Sequence, residues 1–570
     1  MTIRRSAGLG LILAVAWLLA ACGTPSRQQA PQLAPATPAT LRACTELPSQ
    51  FSFAHTTLTA ASVVPAGAQK VGGRDVAEHC LVTGRMFERT SPVDGKTYAT
   101  GFEMRLPREW NGRFFHQGNG GLDGFVQPAV GAVSGGGPLT HALHQGFAVL
   151  SSDAGHNVSQ LPLFGLDPQA RLDYGYQAVG KLTPMAKSLI RAAYAKAPDR
   201  SYIGGCSNGG RHAMVAASRL ADQYDGVLAG NPGFNLPKAA VAQLYGAQQY
   251  ATLATGPDLA TAFSPAERKL VADAVLARCD ALDGAPDGIV AAGAACQRAF
   301  DLARDVPTCA GGRDGSCLSA GQKQVLARVF GGMRNAAGQP LYASFPFDAG
   351  ITGTDWANWE FVYSVTNRDP VAVAYVFQTP PADASAAQDP KAFALAFDIG
   401  RDGPKIFASD KTFTESSMAF MTPPDATDLS ALKNRGAKLL VYHGTSDAVF
   451  SSDDTAAWYD ALARRHGGSA AGFARYFPVP GMNHCRGGPA TDQFDMLGAL
   501  VGWVEQGRAP DAVVAGVRGP GNPGGVNNEL PAHWSPARTR PLCPYPQVAA
   551  YKGSGDIESA DNFTCREPKP

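Results

Sequence analysis

The chain has 570 residues, and its 49 Lys and Arg nearly cancel its 48 Asp and Glu. That length suits two or three domains, and a hydrophobic content of 45% is enough for a large buried core. No basic tract stands out, so composition argues against nucleic acid as a partner.

The N-terminus has the features of an export signal. Two arginines precede an apolar run over residues 9–20, which is too short for a permanent membrane helix. The run ends in Leu-Ala-Ala-Cys, which resembles the bacterial lipobox, in which Cys22 is acylated. We expect residues 1–22 to be a signal peptide with a lipobox, and the protein to be an outer-membrane lipoprotein or otherwise periplasmic or secreted. An ordinary cleaved signal is the alternative. Residues 23–42, rich in Pro, Gln and Ala, are predicted to be a linker.

Strand and helix patterns then alternate along the chain. Such alternation predicts an α/β protein with a mostly parallel sheet. The alternation stops near residue 231 and resumes near 437. The predicted strands are 98–106, 114–115, 147–150, 201–204, 226–229, 437–442 and 474–479, and the predicted helices are 178–195 and 213–220.

A nucleophile motif follows the strand at 201–204 and opens the next helix. Residues 205–209 are Gly-Cys-Ser-Asn-Gly, the Gly-x-Ser-x-Gly pattern in its strand–turn–helix setting. The glycines allow a sharp turn that exposes the hydroxyl of Ser207, and the helix N-terminus favours negative charge there. Ser207 is therefore the candidate nucleophile, and the amide of Asn208 is a candidate oxyanion donor.

The partners of such a serine follow in the order acid, then histidine. Asp447 comes after the strand ending at 442, and His484 comes after the strand ending at 479. Both positions are at carboxyl ends of strands, where these sites are assembled. The alternatives are Asp453 or Asp454 for the acid and His466 or His533 for the base.

The second oxyanion donor should come from an early loop after a strand. Residues 114–124 contain glycines that let a backbone amide approach a substrate closely, and Gly121 is the predicted donor. A plain glycine-rich turn is the alternative.

Ten cysteines remain after Cys22, an even number that predicts disulfides in an exported protein. No Cys-x-x-Cys pair supports a zinc site. Cys206 is next to the candidate nucleophile and Cys485 is next to the candidate base. If Ser207 and His484 meet, these two cysteines come within bonding distance.

An acidic loop lies in the region between the two halves of the sheet. Asp280, Asp283 and Asp287 occur within eight residues around glycines, and such carboxylates suit a hard cation. The spacing is not that of an EF-hand, and a solvated acidic turn is an equal alternative.

Together these patterns predict an α/β-hydrolase fold with a large inserted lid domain. The predicted hydrolase body comprises residues 43–232 and 427–570, and the lid comprises residues 233–426.

At the catalytic motifs the chain resembles the tannase and feruloyl esterase family. The shared pattern is Cys206-Ser207, Asp447 and His484-Cys485, with a disulfide joining the two cysteines. Longer segments also look shared with a member of that family: Arg-Phe-Phe at 113–115, Gly-Leu-Asp-Pro-Gln-Ala-Arg at 165–171, Cys-Asp-Ala-Leu-Asp-Gly at 279–284, Val-Pro-Gly-Met-Asn-His-Cys at 479–485 and Arg-Pro-Leu-Cys-Pro-Tyr-Pro-Gln at 540–547.

The resemblance implies further site residues. It implies a structural calcium ion in the lid and no organic cofactor. It places Trp359, Phe450 and His443 at the pocket for an aromatic acyl group, while Arg368 is the nearest lid cation for a substrate carboxylate and has no motif around it. The implied calcium ligands are Asp280, Asp283 and Asp287 with the carbonyls of Ala285 and Ile289. The implied disulfides, beside 206–485, are Cys44–Cys80, Cys279–Cys296, Cys309–Cys317 and Cys543–Cys565.

The expected function is therefore that of a serine carboxylesterase acting on small esters of aromatic acids. A terephthalate monoester and plant feruloyl or galloyl esters are the competing substrates. Membrane association is expected only through a lipid anchor. A non-catalytic binding lipoprotein is a distant alternative that the intact serine, aspartate and histidine motifs disfavour.

Overall fold

A nine-stranded mixed sheet forms the centre of the molecule. The computed structural model describes residues 1–2, 30–133, 140–335, 337–366 and 368–568. The strands of this sheet are β1 Thr56–Val64, β2 His79–Thr90, β3 Thr97–Pro107, β4 Arg113–Gln117, β5 Ala148–Ser152, β6 Arg200–Cys206, β7 Gly226–Gly230, β8 Lys438–Gly444 and β9 Ala474–Val479. In spatial order they run β9-β8-β7-β6-β4-β5-β3-β2-β1.

The sheet has a parallel part and an antiparallel part. Strands β4 to β9 pair in parallel, and β1, β2, β3 and β5 pair in antiparallel ladders. The predicted parallel sheet is therefore confirmed for the strands that precede the site motifs. Because the carboxyl ends of parallel strands meet at one edge, the loops after β6, β8 and β9 converge there.

Helices cover both faces of this sheet. Alternate residues of each strand enter different cores, as Ile203 packs on one side and Tyr202 on the other. Helices α1, α2 and α6 contribute to the first core and α7 to the second. The helices of more than ten residues in the described ranges are α1 Ala178–Tyr194, α2 Asn208–Arg219, α3 Leu236–Ala251, α4 Pro265–Cys279, α5 Ala320–Phe330, α6 Ser452–Arg465 and α7 Met496–Gln506.

The segment between β7 and β8 is largely helical. Its described residues add no strand to the central sheet. Helices α3, α4 and α5 form a separate core that also takes in Phe450 from the body, so the predicted lid packs directly on the site. The shorter helical pieces among the described residues here are Leu259–Ala262, Asp280–Asp283, Gly293–Ala299, Leu302–Asp305, Ala349–Thr352, Thr354–Asn358, Trp359–Tyr363, Asp369–Ala372, Val373–Phe377, Ser385–Gln388, Pro390–Ala396, Gly403–Phe407, Ser417–Met421 and Ser430–Asn434.

The C-terminal residues form two small antiparallel sheets beside the body. One contains Gln493–Phe494, Val513–Gly516 and Thr539–Leu542, and the other pairs Val548–Tyr551 with Phe563–Arg566. Arg540 donates to Asp287 of the acidic loop through Nε at 3.0 Å. This contact joins the C-terminal segment to the lid.

Part of the predicted linker packs on the body. Within residues 30–42, Gln32 donates to Val504 O at 2.7 Å, the amide of Ala36 donates to Glu505, and Ala39–Thr40 pairs with Glu109–Trp110. The described part of the predicted linker, residues 30–42, is therefore in contact with the body. Cys22 and most of the predicted signal peptide lie outside the described residues. Among the described helices, none combines the length and apolar character needed to cross a membrane.

Candidate active site

Ser207 lies at the turn between β6 and α2. Its φ of 64° is rare for a residue with a side chain, as occurs at strained functional turns. A Cβ atom on Gly205 or on Gly209 would lie 2.3 Å from the carbonyl oxygen of Gly118. The two motif glycines are therefore required by the close approach of the neighbouring strand.

His484 and Asp447 meet at the same edge of the sheet. The Nδ1 atom of His484 lies 2.8 Å from Oδ2 of Asp447, and the two residues come from the loops after β9 and β8. The opposite ring nitrogen, Nε2, is buried and has no hydrogen-bond partner among the residues that the structure describes. This atom is available to take a proton from a neighbouring hydroxyl.

Asp447 is saturated with hydrogen bonds. Its carboxylate accepts the backbone amides of Val449 and Phe450 at 2.9 and 3.1 Å, and the side-chain amide of Asn231 at 2.7 Å. Nε2 of His443 lies 3.2 Å from the same carboxylate. Burial alone would raise the pKa of Asp447, but the His484 charge and the bonds from both histidines outweigh it and lower the pKa well below its usual range. Asp447 is therefore a stable anion facing His484.

A disulfide joins the nucleophile turn to the histidine loop. Cys206 and Cys485 are bonded, with Cα atoms 6.1 Å apart, so Ser207 and His484 belong to two covalently tied loops. The other four predicted pairings are confirmed as well: Cys44–Cys80, Cys279–Cys296, Cys309–Cys317 and Cys543–Cys565.

A cavity of about 560 Å³ contains the candidate residues. Ser207, His484 and Gly121 line it together, and the lid contributes Trp359 and Arg368. The remaining lining residues are Gln117, Gly118, Asn119, Gly120, Gln127, Pro128, Val130, Ala132, Cys206 and Cys485.

Two aromatic rings flank the His484 imidazole. The ring of Trp359 lies 5.0 Å and that of Phe450 lies 5.3 Å from it, both edge-on. Trp359 also lines the cavity, whereas Phe450 is buried behind the histidine. His443, expected near the acyl pocket, is instead fully buried behind Asp447, because its Nδ1 pairs with Thr455 and its Nε2 faces the carboxylate.

Arg368 brings a positive charge into the cavity. Its guanidinium lies 4.9 Å from the centre of the Trp359 ring and donates to Asp369 at 2.8 Å. The Arg368 side chain is 15% exposed. The cavity thus combines an aromatic surface with a cation, although a neighbouring carboxylate already shares that charge.

The alternative acids and bases lie elsewhere. Asp453 accepts from the Ser344 hydroxyl at 2.7 Å and Asp454 from Asn235 at 2.9 Å. His466 packs against Phe473 at the end of α6, and His533 is exposed in a loop. None of the four lines the cavity.

The acidic loop has oxygen donors of the kind that calcium prefers. Burial, with smaller contributions from the charges of Asp287 and Asp280, raises the pKa of Asp283 to about 7, and a bound cation would offset this crowding of carboxylates. As placed, Asp280 accepts the amides of Asp287 and Gly288, and Asp287 pairs with Arg540. Within the described ranges, no group of three or more His, Cys, Asp or Glu side chains is arranged to hold a metal ion. The set Asp280, Asp283, Ala285, Asp287 and Ile289 stays a prediction.

Two residues that hydrogen-bond to Asp447 and His484 were not predicted from the sequence. Asn231 donates to Asp447, and Asp355 of the lid accepts the backbone amide of His484 at 3.2 Å. Asn231 directly follows β7, next to β8 in the sheet, so its position at a strand end is a usable signal. Asp355 has no such signal, since its contact depends on how the lid packs.

Comparisons with known proteins agree with this geometry. The chain is 43% identical to mono(2-hydroxyethyl) terephthalate hydrolase of Piscinibacter sakaiensis, over 86% of this chain and 85% of that protein. Among solved structures, feruloyl esterase B from Aspergillus oryzae matches with a TM-score of 0.71 at 24% identity, covering 92% and 99% of the two chains. Tannin acyl hydrolase from Aspergillus niger matches with a TM-score of 0.59 at 20% identity, covering 91% and 93%.

Fold and sequence together define the class of protein. The fold is that of an α/β-hydrolase, as predicted. The tannase and feruloyl esterase family matches residues 80–566, and the chain belongs to that family. It is accordingly a carboxylic ester hydrolase.

Proposed function

We propose that this protein is an exported serine carboxylesterase that hydrolyses esters of aromatic acids, with a terephthalate monoester as its leading substrate. The observation that carries the proposal is the composition of one cavity. That cavity contains a serine, a histidine with a free buried nitrogen, an aromatic ring and a cation.

The catalytic cycle begins with Ser207. Its hydroxyl attacks the ester carbonyl while Nε2 of His484 takes the proton, and Asp447 stabilises the resulting imidazolium. The tetrahedral intermediate collapses, and His484 returns the proton to the departing alcohol. Water then attacks the acyl-enzyme by the same route and releases the aromatic acid.

The oxyanion is assigned to the backbone amides of Gly121 and Asn208. Gly121 lines the cavity, and Asn208 begins α2, so the helix N-terminus adds a positive field beside Ser207. Both donors strengthen their interaction only as the carbonyl oxygen gains charge, which lowers the barrier rather than tightening substrate binding.

The acyl side of the substrate is proposed to face Trp359 and Arg368. A flat ring gains buried area and about 0.5–1.5 kcal/mol per good aromatic contact. A free carboxylate needs a cation to offset its desolvation, and Arg368 is placed to supply it. The substrate best matched is mono(2-hydroxyethyl) terephthalate, which would yield terephthalate and ethylene glycol.

A feruloyl or galloyl ester is the second candidate. The observation favouring it is the bond from Arg368 to Asp369, which already engages the charge that a terephthalate carboxylate would need. Feruloyl and galloyl esters carry no free carboxylate and therefore do not need this cation. Because Asp369 competes for this charge, we expect the terephthalate monoester to be hydrolysed with a higher KM than neutral aromatic esters.

A substrate panel tests the proposal. Rates are measured for mono(2-hydroxyethyl) terephthalate, methyl ferulate, methyl gallate, methyl benzoate and ethyl butyrate. Turnover of the aromatic esters with ethyl butyrate as a poor substrate is expected. Preference for the aliphatic ester would overturn the aromatic assignment, and binding without any hydrolysis would favour the binding lipoprotein.

Two further assignments extend the proposal. Export, with acylation of Cys22, is supported by the lipobox pattern and fits a chain with five disulfides. A structural calcium ion held by Asp280, Asp283 and Asp287 is supported by the donor chemistry of the loop.

A further inference from the structure

A buried polar cluster surrounds the side chain of Asn208, one of the two proposed oxyanion donors. Its members are Asp123, Tyr174, Asn208, Arg211 and His212, and each of them is at most 7% exposed. The four members other than Asn208 do not line the cavity, and Asn208 enters the proposed reaction only through its backbone amide. Burying polar groups costs folding free energy unless they are hydrogen-bonded, so the hydrogen bonds within the cluster hold its members in place.

The first half of the cluster fixes Asn208. Its side-chain nitrogen donates to Oδ2 of Asp123 at 2.8 Å, and its side-chain oxygen accepts from Nε of Arg211 at 2.6 Å. Nε2 of His212 lies 2.9 Å from the same Asp123 oxygen. Both ends of the Asn208 amide are therefore bonded, and the residue directly after the nucleophile has no freedom to turn.

The second half fixes Gly121. The Tyr174 hydroxyl donates to the carbonyl oxygen of Gly121 at 3.0 Å. Arg211 donates to the backbone oxygens of Tyr174 and Gly175 at 2.9 and 2.6 Å, and its guanidinium lies 5.2 Å from the centre of the Tyr174 ring. A single buried arginine thus links the residue that anchors Gly121 to the residue that follows Ser207.

We infer that Tyr174, Arg211 and Asp123 are positioning residues that keep the amides of Gly121 and Asn208 at a fixed separation. The two amides come from different parts of the chain, the loop after β4 and the start of α2. Oxyanion donors act through preorganisation, and a displacement of about 1 Å can cost about a hundredfold in rate. This inference rests on the proposed function.

Tyr174→Phe is the variant that tests the inference. It removes one hydroxyl and keeps the ring, so Gly121 loses its anchor without a cavity forming. The matched control is Tyr194→Phe, because the buried Tyr194 hydroxyl also donates to a backbone oxygen, that of Pro107, at 2.6 Å. Asp123→Asn serves as a second variant should Tyr174→Phe fold poorly, and thermal melting checks every protein.

The readout separates transition-state from ground-state effects. We expect Tyr174→Phe to lower kcat about tenfold with KM changed less than about twofold, since the donors act on developing charge. The inhibition constant of an aryl trifluoromethyl ketone, whose serine adduct carries an oxyanion, should rise by a similar factor. Inhibition by the matching aryl methyl ketone should not change, and Tyr194→Phe should resemble the wild type in all assays.

Failure of this inference is distinguishable from failure of the proposed function. If Tyr174→Phe and Asp123→Asn keep the wild-type kcat and trifluoromethyl ketone affinity while Ser207→Ala is inactive, the positioning role is refuted and the esterase mechanism stands. An equal loss of affinity for both ketones would also refute it, because that pattern indicates general damage to the pocket. Activity of Ser207→Ala would instead remove the proposed mechanism itself.

Discussion

At the scale of single residues, the proposed choice between the two kinds of substrate depends on Arg368. It is the lid cation in the cavity that also contains Ser207, and it is shared between the Trp359 ring and Asp369. The predicted cost of removing it therefore depends on whether the substrate carries a second carboxylate.

Arg368→Ala should raise KM for mono(2-hydroxyethyl) terephthalate about tenfold. A hydrogen bond to a charged group contributes about 1.5–3 kcal/mol, and competition from Asp369 should bring the loss to the lower end of that range. The KM for methyl ferulate should change by less than about threefold, because this ester carries no free carboxylate. Arg401→Ala is the control. Arg401 also pairs with the residue that follows it, Asp402, at an N–O distance of 2.7 Å, but neither residue lines the cavity. Equal losses for both esters would contradict a carboxylate-binding role.

The residues that could be predicted from the sequence are those that directly follow strands of the sheet. Ser207, Asp447 and His484 each follow a strand of the parallel sheet, so motif and topology together bring them to one edge. Other features depend on packing between distant segments. These are the burial of His443, the position of Phe450 against His484, and the contact from Asp355. No local pattern encodes such packing, which is why the expected position of His443 differs from the observed one.

At the scale of elements, the bond between Cys206 and Cys485 couples two loops that carry the reacting groups. It closes a separation of 279 residues, whereas Cys309–Cys317 closes 8. In the chain-entropy account a longer loop gains more stability from its cross-link.

The double variant Cys206→Ser and Cys485→Ser should lose both activity and thermal stability. Native disulfides contribute about 2–5 kcal/mol in small secreted domains, and a larger protein is expected to lose less. Activity assays and melting curves are compared with the Cys309→Ser and Cys317→Ser double variant, which should keep its activity. If the first variant retains full activity, the disulfide does not position the site.

Glu360, in the helical turn Trp359–Tyr363, gives a prediction on pH. Burial, with a smaller effect of the Asp369 charge, raises its pKa from 4.5 to about 8. Between these values the folded protein keeps a proton that the unfolded chain has lost, so the stability of the wild type falls as pH rises. Glu360→Gln removes this dependence.

Relative to the wild type, Glu360→Gln should therefore gain stability as pH increases from about 5 to 8, by at most about 1.4 kcal/mol per pH unit. Urea unfolding at several pH values measures the difference. Glu88→Gln is the control, because the Glu88 side chain is 47% exposed. A constant difference across this range would show that Glu360 is ionised in the folded protein.

At the scale of the whole molecule, the sequence predicted the body more closely than its periphery. The predicted strands from 98 to 479 match β3 to β9 within a few residues, because hydrophobic periodicity encodes buried strands. Residues 23–42 were predicted as a linker from composition, and of these Gln32 and Ala36 bond to the end of α7. Composition alone does not report such long-range contacts.

The acidic loop connects the lid to the C-terminal segment, since Arg538 donates to the carbonyl oxygen of Asp287 at 2.7 Å and Arg540 donates to its side chain. If the loop binds calcium, metal analysis should find about one ion per chain, and chelation should lower the melting temperature. Asp283→Asn should abolish the response to the chelator. Protein without bound calcium, or a melting curve that chelation leaves unchanged, would remove the site.

All of the proposed chemistry depends on Ser207 as the nucleophile. The most direct measurement is peptide mass spectrometry after reaction with a p-nitrophenyl phosphonate, which transfers its phosphoryl centre to an activated serine and releases nitrophenolate. We expect one adduct, on the peptide containing Ser207, together with complete loss of esterase activity. Ser207→Ala should be folded, unlabelled and inactive. Labelling at another residue, or substantial hydrolysis by Ser207→Ala, would contradict the account.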